Sequence, residues 1–109
     1  MPQLNRERRG YDFFELREGI PAHYETEEVA TPEKKVMEHF FCSYLDWYLV
    51  ELDTETGEGF GYVWNRGTNE GEWGYFSLLE MESLVIAPYS AVIERDLYFT
   101  PKQFSEISF

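Results

Sequence analysis

A single cysteine, Cys42, and only two histidines, His23 and His39, occur among the 109 residues. One thiol cannot close an internal disulfide, and a closed zinc site using these three side chains would need carboxylates to complete it. No apolar run approaches the roughly 20 residues that span a bilayer, and the polar start MPQLNRERRG does not read as a signal peptide. The expected setting is the reducing cytoplasm of a bacterial host. Positive charge is scarce as well. From Val36 onward only Arg66, Arg95 and Lys102 oppose thirteen Asp and Glu, which places -10 of the net charge of -12 on the last 74 residues. Residues 1–35, with six basic groups against eight acids, are nearly balanced. An acidic field of this kind repels nucleic acid and anionic membranes and attracts basic partners.

What the chain has in plenty is aromatic side chains, 18% of its residues, within a hydrophobic content of 43%. That suffices for one domain over residues 1–109, although a domain of this size buries only about 60 to 65% of its unfolded surface. The stretch from Trp73 to Phe99 organises the rest. Trp73, Tyr75 and Phe76 are aromatic strand formers. Ser77 with Glu80 three residues later reads as a capping box, so a helix is expected to start there. Leu78, Met81, Leu84 and Val85 follow at helical spacing, and Pro88 stops the run.

Upstream, Leu4 to Glu18 reads as one helix, broken or begun near Gly10 and closed by Gly19 and Pro21. Ala22 to Glu33 reads as an extended acidic linker. Lys35 to Tyr44 and Trp47 to Asp53 have strand composition. Alternation puts Val36, Glu38, Phe40 and Cys42 on one face of the first, with Met37, His39 and Phe41 on the other. In the second, Tyr48, Val50 and Leu52 oppose Trp47, Leu49 and Glu51. Turn clusters at Asp53 to Gly59 and Asn65 to Gly71 then separate Phe60 to Trp64 from Glu72 to Phe76, with Gly61 leaving room for a close backbone approach. The expected fold is α+β: an antiparallel meander of about four strands, an N-terminal helix, and a second helix starting at Ser77.

GYFSLLEMESL (Gly74 to Leu84) followed by IERDLYFTPKQFSE (Ile93 to Glu106) resembles the C-terminal signature of a family of small bacterial, plasmid and phage proteins catalogued as a domain of unknown function. FFCSYLDWYLVELD (Phe40 to Asp53) is similar to its paired-strand region, and IPAHY (Ile20 to Tyr24) to its L-P-x-x-Y element. Met81 in place of the usual Leu, the missing glycine between Val85 and Ile93, and the acidity depart from the pattern. The resemblance implies a shared fold and a mobile-element setting, and brings no catalytic residues with it.

His39 and Cys42 fall on opposite strand faces, which argues against a nucleophile and base pair, and a strand cysteine between Phe41 and Tyr44 reads as a small buried hydrophobe. GEGFG (Gly57 to Gly61) lacks the lysine of a phosphate loop. Neither catalytic residues nor a cofactor or metal is expected. Arg95, between Glu94 and Asp96, is expected to form a structural ion pair with a neighbouring acid. Asp46, Glu51, Asp53, Glu55, Glu58, Glu70 and Glu72 are expected to form an acidic face presenting negative charge where DNA-binding clefts accept phosphates. The functional expectation is a non-enzymatic phage or plasmid protein that binds a basic, nucleic-acid-handling host protein, as a DNA mimic blocking a restriction or CRISPR-type nuclease. The alternative is a small enzyme or ligand-binding domain with Trp47, Trp64, Trp73 and Tyr75 lining a pocket.

Overall fold

The computed structural model describes residues 3–86 and 89–109. In chain order it comprises α1 (Arg6–Arg9), β1 (Lys35–Val36), β2 (Glu38–Cys42), β3 (Leu45–Leu52), β4 (Glu58–Asn65), β5 (Glu70–Ser77), α2 (Leu78–Ser83), β6 (Val85–Ile86), β7 (Ala91–Val92), β8 (Glu94–Arg95) and β9 (Lys102–Gln103). The expected meander is present as β2 to β5. The sheet has five antiparallel strands rather than four, in the order β5-β4-β3-β2-β8, because Glu94 and Arg95 pair with Phe41 and Phe40 at its far edge.

Both faces are covered, as the near-continuous apolar run of β3 requires. On one side Phe40, Trp47, Leu49 and Leu52 pack with Phe13, Leu78, Met81 and Ile93. On the other, Tyr48 and Val50 pack with Val36 and Phe99, flanked by Tyr62, Trp64, Trp73 and Phe104. Two local events change the expected alternation. The strand expected from Lys35 breaks at Met37, so Val36 pairs with Lys102 of β9 and joins the Tyr48 layer rather than that of Phe40. In β3 the register against β4 slips between Leu49 and Glu51, a bulge that returns Leu52 to the Leu49 side and turns Glu51 towards Phe60. Gly61 is required by packing, since a Cβ there would run into the Tyr48 carbonyl.

The helices are shorter than their patterns suggest. α1 is one turn, ended by Gly10 at φ +81°. Beyond it, Tyr11, Asp12 and Arg17 bond to groups in β8, in their own loop and in β2, and those tertiary bonds replace the i to i−4 ladder that a continued helix would need. Residues 22–33 do not extend over the surface but coil in successive turns, closing with a 3-10 turn at Thr31–Glu33. α2 starts where expected, with the Ser77 hydroxyl accepting from the Glu80 N–H at 3.2 Å. It ends at Ser83, so Leu84 and Val85 are exposed rather than packed on a helical face, and Pro88, the expected stop, lies outside the described residues.

Candidate functional site

The carboxylates fall into two populations. The inward set holds the irregular N-terminal third onto the rest of the chain. Glu82, on the buried side of α2, accepts from the backbone N–H groups of Leu4 (2.8 Å) and Asn5 (2.9 Å) and from Arg9 Nη1 (2.5 Å). Glu38, at the start of β2 and fully buried, accepts from the Arg17 N–H and Nη1, each at 2.7 Å. Glu51 accepts from the N–H groups of Tyr24 (2.9 Å) and Thr26 (3.1 Å) and from the Thr26 hydroxyl. Burial alone would push the Glu51 carboxyl up, but the bonds from Thr26 and Tyr24, with Lys34 nearby, hold it below the usual glutamate range.

Asp46 forms a fourth inward cluster. Its Oδ1 lies 2.8 Å from His39 Nε2 and its Oδ2 3.0 Å from Arg66 Nε, while His39 Nδ1 lies 3.0 Å from Asp96 Oδ2. The imidazole stacks on Tyr48, with centroids 4.8 Å apart and planes at 9°. Burial and the Asp46 charge push the Tyr48 phenol up to about 12.

Two members of the expected acidic face are therefore not on the surface. Asp46 and Glu51 are 6% and 4% exposed, because a cross-strand histidine claims one and the β3 bulge turns the other onto the Tyr24–Thr26 loop. The other five face solvent, at opposite ends of the sheet. At the β3–β4 turn, Asp53, Glu55 and Glu58 join Glu25 around an open hollow of about 820 Å³ with His23 in its wall and no lysine or arginine in its lining. Asp53 accepts from the Glu55 and Thr56 N–H groups, and the Glu55 bond is the main reason its carboxyl sits below the usual range. The His23 nitrogens lie 3.7 Å from Glu51 Oε1 and 3.2 Å from Glu58 Oε1, neither aligned as a hydrogen bond. At the β4–β5 hairpin, Glu70 and Glu72 border a hollow of about 310 Å³ floored by Leu45 and Val63.

The Glu94-Arg95-Asp96 ion pair does not form. Arg95 donates to the Asp12 carbonyl at 2.9 Å and lies over the Tyr11 ring, while Glu94 accepts from the Tyr11 hydroxyl and Asp96 from His39. Successive strand residues point to opposite faces, so Arg95 and the acids beside it reach different neighbours. The Tyr11 phenol is pushed up to about 12 by burial and by its bond to Glu94.

Among the described residues Trp47, Trp64, Trp73 and Tyr75 do not line one common pocket. Trp47 packs in one core layer, Trp64 and Trp73 pack against Phe109 and Phe104 in the other, and Tyr75 borders a hollow with Tyr24, Phe60 and Glu51. Cys42 is buried among Phe40 and Trp47, away from His39, and burial pushes its thiol up. Among the described residues no group of three or more His, Cys, Asp and Glu is arranged to hold a metal, and no helix is long and apolar enough to cross a membrane.

Sequence reasoning missed Arg9, Arg17, Glu38 and Glu82. Their signal was the arginine-rich N-terminal third set against an acidic remainder, a charge asymmetry that permits internal neutralisation as well as an external partner. No curated protein and no solved structure matches the chain. A family model described as "Protein of unknown function (DUF2958)" matches residues 15–108, almost the whole of the irregular segment, sheet and C-terminal stretch, and the chain belongs to that family.

Proposed function

We propose that this protein acts by binding a basic, nucleic-acid-handling protein, in the cytoplasm of a bacterium carrying a phage or plasmid, and that it performs no chemistry in doing so. The observation that carries the reading is the hollow at the β3–β4 turn, where Glu25, Asp53, Glu55 and Glu58 converge with no lysine or arginine in the lining. Four carboxylates around one concavity give a local field that the distant arginines do not cancel, since screening confines such fields to about 8 Å at physiological ionic strength. A cleft built to accept phosphates meets complementary charge there, as in a DNA mimic that blocks a restriction or CRISPR-type nuclease.

The test is binding to a basic DNA-binding nuclease, measured as a function of salt and in competition with duplex DNA. Asp53, Glu55 and Glu58 changed together to Lys should abolish binding and Cys42→Ala should leave it intact, with affinity falling as salt rises. Salt-independent binding that survives the triple reversal would reject the reading. A second reading, a small-ligand site, is favoured by the apolar hollow of about 450 Å³ lined by Phe14, Leu16, Ile20, Leu52 and Leu78. Apolar fragments that shift the methyl resonances of Leu52 and Leu78 would move the weight to it.

A further inference from the structure

The sheet has two edges, and they are unlike. One is β8, only Glu94 and Arg95, too short to template another strand. The other is β5, eight residues from Glu70 to Ser77, hydrogen-bonded to β4 alone. Folded proteins blunt such edges with lysine, proline, bulges or a covering segment. β5 contains no lysine or proline, its register with β4 runs from Glu58–Ser77 to Asn65–Glu70 without a slip, and among the described residues no other element bonds to its backbone.

The phase of the ladder identifies the free groups. The Leu78 N–H donates to the Gly57 carbonyl at 2.9 Å, so the alternation of an antiparallel pair turns the main-chain groups of Phe76, Gly74, Glu72 and Glu70 towards β4. Those of Gly71, Trp73 and Tyr75 point outward. Glu70 and Glu72 stand exposed on the same strand, beside the hollow floored by Leu45 and Val63. β4 and β5 carry no basic residue, and Arg66 between them is turned back onto Asp46 and the Ser43 carbonyl.

We infer that β5 is a strand-addition site for an extended segment of a basic partner, with lysine or arginine at alternate positions. Main-chain bonds to Gly71, Trp73 and Tyr75 supply the pairing, and basic side chains of the added segment on the Glu70 and Glu72 face meet those two carboxylates. A second copy of the chain is disfavoured as the occupant, because two copies that each carry a net charge of -12 repel one another. The inference rests on the acidic-binder reading and adds a mode and a place to it.

The probe is an eight-residue peptide alternating lysine and threonine, compared with the same peptide methylated on every backbone nitrogen, which keeps the charge and loses the donors. With the full chain, the parent peptide should protect the amides of Gly71, Trp73 and Tyr75 from hydrogen exchange. The methylated peptide should bind about tenfold or more weakly, as expected for two or three lost main-chain bonds. Glu70 and Glu72 changed together to Gln should weaken the parent peptide without unfolding the chain, since both are exposed. Equal affinity of the two peptides without edge protection would overturn strand addition while leaving the acidic reading to its own charge-reversal test. Failure of the parent peptide to bind at low salt overturns the proposal outright. Edge protection that grows with protein concentration in the absence of peptide overturns the basic occupant in favour of self-pairing.

Discussion

Glu82 and Glu72 carry the same side chain ten positions apart and do opposite things. Glu82 is buried at 2% exposure, receives two backbone N–H groups and a guanidinium, and holds residues 4–9 against α2. Glu72 stands in solvent on an edge strand with its charge uncompensated. The contrast extends to the regions around them. In one, carboxylates at Glu38, Glu51 and Glu82 replace secondary structure as what fixes the chain; in the other, the β-ladder fixes the chain and the carboxylates are free to act outward. A net charge of -12 therefore overstates the field a partner meets, because part of it is spent on internal bonds.

The largest expected effect breaks the inward side. Glu82→Ala leaves Arg9 buried without its partner and two backbone donors unmatched, and should cost about 3 to 5 kcal/mol in chemical denaturation. Glu72→Ala should stay within about 0.5 kcal/mol; comparable losses from the two would erase the distinction. Glu51→Gln should cost about 1 to 3 kcal/mol at neutral pH, since an amide cannot accept all the donors that Tyr24 and Thr26 present.

That loss should depend on pH in a definite direction. The folded carboxyl of Glu51 lies below its ordinary value, so its contribution is present above the ordinary glutamate range and disappears as pH falls through the lowered one. Melting curves of the two proteins should converge in acid; a constant gap would show that protonation of Glu51 is not involved. Next, Ser77→Ala should cost about 0.5 to 2 kcal/mol by removing the α2 cap, with Ser77→Asp retaining most of it. Smallest is Arg66→Ala, about 0 to 1 kcal/mol, because its guanidinium pairs with Asp46 from an exposed position. A larger cost would mean that Arg66 orders the His39 cluster rather than decorating it.

The strands were legible because aromatic and β-branched residues clustered between obvious turns, and Ser77 because a cap is a local device. What escaped was non-local. Nothing within Trp47 to Asp53 marks the bulge, whose cause is the pairing with β4, yet that slip decides whether Glu51 is a surface charge or an internal acceptor. Arg95 found the Asp12 carbonyl and the Tyr11 ring rather than the acids beside it, contacts that depend on a fold bringing residue 12 to residue 95. The N-terminal periodicity was compatible with a helix, but one turn is too little to stand without tertiary support, and the tertiary bonds on offer pull the chain out of helical geometry.

The grip of Glu82 on Leu4 and Asn5 also sets a timetable. These bonds join residues 78 and 77 positions apart, so the segment made first waits for one of the last pieces of its framework. At synthesis rates of about 5 to 20 residues per second that interval is roughly 4 to 15 s, and it spans the making of the whole β2–β5 meander, a unit of neighbouring strands. The N-terminal segment is thus locked only after the meander has been made. A stalled chain ending before Met81 should expose Phe13 to added protease, and the same site should close once Ile93 to Arg95 are also in place.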